Sequence, residues 1–237
     1  MIRIFKILLF LSITFSNSYS QYNGNNFSIS GNFNYSTSGR IFLTPDADNV
    51  FDRNNYFGID HVYGYSAEIR FRLNEDLILG LSGEYLEASE DGRNIVTSSQ
   101  FVVTDGFELI PLELSAYYHL PFSTESFKFF MGGGFGFYFG KRFRQFGDLE
   151  YMDVSSELGF GIQISTGMDY MIFDYLSVRG EFRFRDPDFK VTNRYSSDIV
   201  NYEGRSYRIS TDEITSKINL DGITFRIGAT FHFPVEY

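Results

Sequence analysis

The stretch ITFRIGATFHF, residues 223–233, decides the fold. Its apolar and polar residues alternate strictly, with Ile223 and Phe225 on one side and Thr224 and Arg226 on the other. A period of two sustained over such a run indicates a β-strand with one apolar and one polar face. About 9–11 residues is also the length of a tilted strand that crosses a bilayer. The stretch therefore predicts an amphipathic, membrane-spanning strand.

The beginning of the chain predicts a secretory signal. Arg3 precedes a mostly apolar run over 4–15, Lys6 lies within this run, and small residues follow it. This order of basic, apolar and small residues is typical of a signal peptide, and the run is too short for a membrane anchor. We therefore expect a signal over 1–20 and one domain over 21–237.

The composition excludes several classes of protein. The formal net charge is −10, and it becomes −12 without the signal, which holds two basic and no acidic residues. Such a charge argues against nucleic acid as a partner. The chain has no cysteine, which excludes disulfides, thiol catalysis and cysteine-ligated metals. No apolar run after the signal is long enough for a membrane helix, so a membrane protein of this sequence requires a closed barrel.

Alternating segments recur along the whole chain. Eight are predicted as strands, at 27–35, 61–73, 77–85, 110–120, 127–139, 158–170, 176–185 and 223–233. Short connections (74–76, 121–126, 171–175) alternate with long polar ones (37–60, 87–109, 140–157, 186–222). This alternation is typical of outer-membrane barrels. The predicted fold is all-β: an eight-stranded, antiparallel, up-and-down transmembrane β-barrel with short periplasmic turns, long extracellular loops and periplasmic termini.

Aromatic residues are predicted to form two girdles at the membrane interfaces. The sequence has 28 Phe and 17 Tyr. The girdle at the loop end is predicted to contain Tyr35, Tyr63, Tyr85, Phe137, Tyr138 and Phe184. The girdle at the turn end is predicted to contain Tyr118, Phe122, Phe127, Tyr170, Phe173, Tyr175, Phe231 and Phe233.

Several glycine- and aromatic-rich strands carry a family resemblance. They are GLSGEY at 80–85, PLELSAYY at 111–118, GGGFG at 132–136 and LSVRGEFRFR at 176–185. The chain resembles the eight-stranded outer-membrane β-barrel families of the porin-like superfamily, of the type of the OmpA transmembrane domain and OmpW. Arg226, Gly228, Phe231 and Phe233 also resemble the C-terminal signal read by the barrel-assembly machinery. The resemblance implies a Gram-negative outer-membrane location, with membrane lipid and the assembly machinery as partners.

Function must come from the inward face and the loops, because many functions share this fold. In each predicted strand, the residues between the outward apolar positions are predicted to point inward. The charged residues among them form a predicted inward network of Glu68, Arg70, Arg72, Glu84, Glu113, Lys128, Glu157, Asp169, Arg179, Glu181, Arg183, Arg185 and Arg226. Because a barrel of eight strands is filled by side chains or holds one small ligand, these charges are expected to pair into a polar plug. The role would then be structural, or surface interaction through the loops.

Two transport alternatives remain open. A narrow path lined by Arg179, Arg183, Arg185 and Arg226 would favour anions. A conduit for small apolar molecules would need an apolar lumen, and only Ile78, Leu86 and Phe130 clearly point inward. The longest loop, 186–222, is rich in Tyr and Arg and is the expected contact for any extracellular ligand.

No enzymatic motif is present, and we expect neither catalytic residues nor a cofactor or metal. His61 is the histidine predicted near the outer end, without a serine and acid beside it. Asp46, Asp48 and Asp52 lack the spacing of an EF-hand loop. A secreted, lipocalin-like soluble barrel is the competing architecture, and its apolar residues would point inward instead.

Overall fold

The computed structural model describes residues 25–96 and 99–234, which are almost wholly antiparallel strand. The strands are β1 (Asn25–Phe42), β2 (Tyr56–Arg72), β3 (Leu77–Val96), β4 (Ser99–His119), β5 (Phe127–Phe146), β6 (Leu149–Ser156), β7 (Gly159–Phe173), β8 (Leu176–Arg185), β9 (Asp188–Tyr195), β10 (Ile199–Tyr202), β11 (Arg205–Arg208), β12 (Ile214–Asn219) and β13 (Ile223–Pro234). A short helix, α1 (Val50–Arg53), follows β1. In these residues no helix has the length and apolarity needed to cross a membrane. The predicted signal, 1–20, lies outside the described residues.

Eight strands close into a ring, which confirms the predicted barrel. The order around the ring is β1, β2, β3, β4, β5, β7, β8 and β13, and each neighbouring pair is antiparallel. β13 closes the ring on β1, with Phe27 opposite Phe233 and Tyr35 opposite Phe225. These eight strands overlap the eight predicted segments, and β8 has the predicted bounds.

Apolar side chains point outward from the part of the barrel predicted to cross the membrane, which we call the membrane section. Leu81 is 56% exposed and Ile227 is 60% exposed, whereas their chain neighbours Ser82 and Arg226 are buried. A soluble lipocalin-like barrel has the opposite arrangement. The orientation of the faces therefore favours the membrane alternative.

The four long connections are more ordered than the sequence analysis assumed. β3 runs to Val96 instead of ending near 85, and β4 begins at Ser99 instead of near 110. Elsewhere the strands kink instead of ending: β6 leads into β7, β8 into β9 and β12 into β13 after two or three residues. At the β8–β9 kink, Pro187 has no N–H to donate to the ladder. These continuations form a second tier, which we call the extension.

In the extension the order of strands is β2, β1, β12, β9, β6, β5, β4 and β3. This tier is not closed between β2 and β3. Their ladder ends at Tyr63 opposite Glu87, while β2 continues along β1 to Tyr56 and β3 continues along β4 to Val96. A gap between β2 and β3 therefore separates the β1–β2 hairpin from the β3–β4 hairpin above the membrane section. Strands β10 and β11 form a further hairpin.

The interior of the extension is mainly apolar. Directly above the membrane section lies an apolar layer of Ile41, Ile59, Val62, Leu86, Ala88, Phe107, Leu109, Tyr138, Phe189, Val191, Ile218 and Leu220. Further out lies an aromatic cap of Phe101, Val103, Phe146, Leu149, Tyr195 and Val200, against which Tyr202 and Tyr207 of the hairpin pack. Between the two, inward residues such as Asp105 and Arg142 form an upper polar layer.

The aromatic girdle prediction needs one correction. Tyr138 is fully buried inside the barrel, whereas Phe137 is 44% exposed on the outer face. Adjacent residues of a strand face opposite sides, so both residues cannot belong to the same girdle.

Candidate functional site

The structure places twelve of the thirteen residues of the predicted charge network inside the membrane section. Buried there are Glu68, Arg70, Arg72, Glu84, Glu113, Lys128, Asp169, Arg179, Glu181, Arg183, Arg185 and Arg226. Glu157 is not part of the network. It is exposed at the kink between β6 and β7, where the alternation of the two strands is interrupted. We call the buried set the ionic layer.

The ionic layer begins near the turn end with a bidentate pair. Arg179 donates to both oxygens of Asp169, from Nε at 2.7 Å and from Nη2 at 2.9 Å. The Nη1 atom of Arg179 lies 3.2 Å from Glu68 Oε2, and Arg70 Nη2 lies 2.9 Å from the same oxygen. Arg70 also lies 2.8 Å from Glu181 Oε2. Each carboxylate here therefore touches at least one guanidinium.

The same alternation continues toward the extension. Arg183 donates to Glu181 Oε1 from Nη2 at 2.7 Å, and it also contacts Glu113. Arg185 Nη1 lies 3.3 Å from Glu113 Oε1 and 2.7 Å from Glu84 Oε2. Acids and bases thus alternate without a break from Asp169 to Glu84. Such pairing is what allows charges to remain in a water-poor interior.

Arg226 connects the ionic layer to polar neutral side chains of β1 and β2. Its Nη1 atom lies 3.2 Å from Glu181, its Nε donates to Asn34 at 3.2 Å and its Nη2 donates to Ser66 Oγ at 2.7 Å. Asn34 in turn donates to Glu84 at 2.7 Å. Small polar residues of β1 therefore fill the space between the arginines.

Two tyrosines that the charge pattern missed complete the network. Tyr117 donates to Glu68 at 2.6 Å, and Tyr138 donates to Glu113 at 2.7 Å. Arg70 lies over the ring of Tyr117, 3.7 Å from its centroid. The alternation of inward and outward residues along β4 and β5 places both tyrosines inward, so this pattern could have predicted their position.

The inward glycines of β5 leave room for these side chains. A Cβ at Gly136 would lie 2.7 Å from Glu113 Cγ, and a Cβ at Gly132 would lie 2.6 Å from the ring of Tyr117. A glutamate and a tyrosine therefore occupy the space beside these glycines.

The turn end of the lumen holds a small cavity and a buried serine–histidine pair. Ser177 Oγ lies 2.9 Å from His232 Nε2, and both residues are buried. The adjoining cavity has a volume of about 20 Å³ and is lined by His232, Asp169 and Arg179, among others. This is space for about one water molecule. Asp169 pairs with Arg179, so this cavity beside Ser177 and His232 is bounded by an ion pair.

The structure places the histidine considered for catalysis beside a tyrosine, and the aspartates considered for calcium lie in α1 and just before it. His61 accepts from or donates to the Tyr35 hydroxyl at 2.8 Å instead of contacting a serine. Asp46 pairs with Lys190, and Asp52 lies in α1. Within the described ranges, no group of three or more His, Asp or Glu side chains is arranged to hold a metal ion.

The four residues of the assembly-signal resemblance lie on β13. Phe231 and Phe233 point outward and are exposed, while Arg226 points into the lumen. A Cβ at Gly228 would lie 2.8 Å from the backbone of Asn32. This position therefore requires the close approach of β1 that glycine permits.

The upper polar layer is a second charged cluster, which the sequence pattern did not predict. Arg142 donates to both oxygens of Asp105, at 2.8 and 2.6 Å, and also contacts Ser216. Arg144 donates to Asp105 Oδ2 from Nε at 3.0 Å. Burial raises the pKa of Asp105, but hydrogen bonds and charge from Arg142 and Arg144 outweigh burial and hold the pKa below its usual range. Two guanidinium groups thus share one ionised carboxylate.

Comparisons with known proteins agree with this architecture. No protein-family model matches the sequence, and no curated protein does either. The crystal structure of the outer membrane protein OprG from Pseudomonas aeruginosa is similar at a TM-score of 0.63 and 14% identity, covering 90% of this chain and 97% of OprG. The solid-state NMR structure of AlkL gives a TM-score of 0.49 at 14% identity, with 94% and 95% coverage. The likeness to OprG shows that the chain has the fold of the small outer-membrane β-barrels, as the resemblance implied.

Proposed function

We propose that this protein is an integral outer-membrane barrel with a closed lumen, and that the barrel serves as a rigid base for a structured extracellular extension. The apolar outer face of the membrane section supports insertion in lipid. The single observation that carries the closed state is the unbroken chain of ion pairs from Asp169 to Glu84.

The apolar layer adds a second barrier above the ions. Phe107, Leu109 and Tyr138 are all fully buried directly beyond the level of Glu113. An ion that crossed the barrel would have to separate paired charges and then pass through this apolar layer, and both steps are costly. The proposed role is therefore non-enzymatic and structural, with partner contact through the extension.

Single-channel recording tests the closed state. Purified mature protein is refolded and inserted in a planar bilayer, with insertion checked by heat-modifiable gel mobility. The expected result is no unitary conductance. Stable unitary steps that change in Arg183→Ala or Arg226→Ala would contradict the proposal, and they would support the alternative of a narrow, anion-favouring path.

A matched variant shows that the assay can detect an opened lumen. Removal of Arg183 together with Glu113 (Arg183→Ala with Glu113→Ala) deletes one base and one acid, and so leaves the net charge unchanged. Because the apolar layer would still close the lumen, the variant also carries Phe107→Ala and Leu109→Ala, and we expect the combination to conduct where the parent chain does not. Arg208→Ala, at a position that is 82% exposed on the hairpin, is the control and should remain silent.

A further inference from the structure

The extension contains a cavity between the apolar layer and the aromatic cap. Its volume is about 270 Å³, near the lower end of the range for small-molecule sites. Its apolar walls come from Leu43, Phe57, Val103 and Ile214. The charged side chains in its wall are Asp105, Arg142 and Arg144. The cavity therefore combines an apolar chamber with one charged side.

The charged side of the cavity carries an excess positive charge. Arg142 is 1% exposed and satisfies Asp105 by a bidentate pair. Arg144 then adds a second guanidinium to the same carboxylate. Among the described residues its Nη1 makes a long 3.5 Å contact to the Tyr151 hydroxyl, and its side chain is 17% exposed. A donor of Arg144 is thus open to an additional acceptor.

Acids on the neighbouring strands do not neutralise this charge at short range. Asp91 accepts from Thr104 at 2.7 Å, and Asp153 accepts from Asn193 at 2.7 Å. Both acids are solvent-exposed, so water screens their charge. The partner that best complements the cavity has one negative charge and an apolar body.

We propose that this cavity binds a small amphipathic monoanion, with its carboxylate on Arg144 and its apolar part against Leu43, Phe57, Val103 and Ile214. The apolar layer separates this site from the ionic layer below. Binding here therefore does not depend on whether the lumen conducts, and the proposal does not rest on the proposed function.

Isothermal titration with 4-phenylbutyrate tests the charge requirement. The full mature chain is titrated in lipid nanodiscs, and the signal from empty nanodiscs is subtracted. The neutral isostere 4-phenylbutanamide has the same shape without the charge, so we expect it to bind at least about tenfold more weakly. Equal affinity for the two compounds would overturn the proposal, as would a lack of phenylbutyrate binding up to about 10 mM.

Two variants test the location of the site. Arg144→Gln removes the excess charge but leaves Asp105 paired with Arg142, and it should weaken binding at least about tenfold. Arg194→Gln removes the same charge from the exposed side of β9 and should leave the affinity unchanged. Ile214→Trp fills the cavity without altering its charge and should abolish binding. Wild-type affinity in folded Arg144→Gln, or in folded Ile214→Trp, would assign the compound to another place and overturn the proposal.

Discussion

The membrane section and the extension of this barrel share the strands β1 to β5 but have opposite interiors. On β4, Glu113 and Ser115 point inward in the membrane section, and Leu112 and Leu114 point outward. Higher on the same strand, Phe107 points inward while its neighbour Glu108 is partly exposed. The direction of each side chain keeps its parity throughout. The medium around the barrel changes instead. Where lipid gives way to water, the inward residues change from mainly polar to mainly apolar, and the outward residues change in the opposite sense.

This difference implies two sources of stability. In the membrane section the outward apolar residues contact lipid, and the interior is held by ion pairs and hydrogen bonds. In the extension, apolar side chains leave water for a packed interior, as in a soluble domain. Substitutions on equivalent faces of the two tiers should therefore have unequal effects.

The largest expected effect comes from removing one partner of the ionic layer. Arg183→Ala leaves Glu113 and Glu181 each short of a buried cation, and removal of one partner of a buried pair costs about 3–5 kcal/mol. The measurement is the free energy of unfolding in urea from lipid vesicles, followed by tyrosine fluorescence. Arg208→Ala on the exposed hairpin is the control, with an expected change below about 0.5 kcal/mol. Equal stability of the two variants would show that the ion pairs do not hold the lumen.

A charge placed on the outer face should separate the two tiers directly. Leu114 and Val102 lie on the same face of β4 and are 45% and 50% exposed. Leu114→Arg places a charge against lipid and should cost about 2–4 kcal/mol. Val102→Arg places the same charge in water and should cost less than about 0.5 kcal/mol. If both variants lose stability equally in the urea experiment, the boundary between the tiers has been placed wrongly.

Truncation of an isoleucine should give a smaller difference. Ile218 is fully buried in the apolar layer, and Ile227 is 60% exposed on the membrane section. Both Ile→Ala changes lose the transfer of about three carbon groups from water. Ile218→Ala also leaves a cavity, whereas lipid can fill the space at Ile227, so we expect Ile218→Ala to cost about 1–2 kcal/mol more. A larger loss at Ile227 would contradict packing in the apolar layer.

The smallest expected effect is a local pH dependence at the hairpin of β10 and β11. Asp148 accepts from the backbone and side-chain nitrogens of Asn201, both at 2.8 Å, and these hydrogen bonds lower the pKa of Asp148. The bonds are therefore intact above the ordinary carboxyl pKa of about 3.8 and weaken as the pH falls through the lowered value. Amide hydrogen exchange at Asn201 should accelerate in acid, after correction for the intrinsic rate. Asp148→Asn should remove this dependence, and its persistence in that variant would point to another group.

The sequence predicted the membrane section well because lipid imposes a simple rule. Outward positions there are mainly apolar, and the eight segments and the buried charges on β8 follow from the alternation alone. Glu157 escaped the rule because a kink between β6 and β7 breaks the alternation at that residue. Boundaries of this kind depend on neighbouring strands, which a single segment does not reveal.

The extension was harder to predict because it follows the rule for soluble proteins. Ile41, Ile59 and Ile218 are buried there, but they are separated by charged residues that suggested polar loops. Asp105, Arg142 and Arg144 come together from two strands, and no local motif marks them. Their inward orientation follows from the alternation only once β4 and β5 are known to continue beyond the predicted segments.

Closure of the ring also has a consequence for the order of folding. The pairing of Ser28 with His232 joins the two ends of the described chain, whereas β3 and β4 are neighbours along the sequence. Contacts between distant residues require a large loss of chain entropy, so they form slowly. Hairpins such as β3–β4 can therefore form early, while β1 and β13 each keep an unpaired edge until the last step. The time spent with these edges exposed is the interval in which the chain is most prone to aggregate.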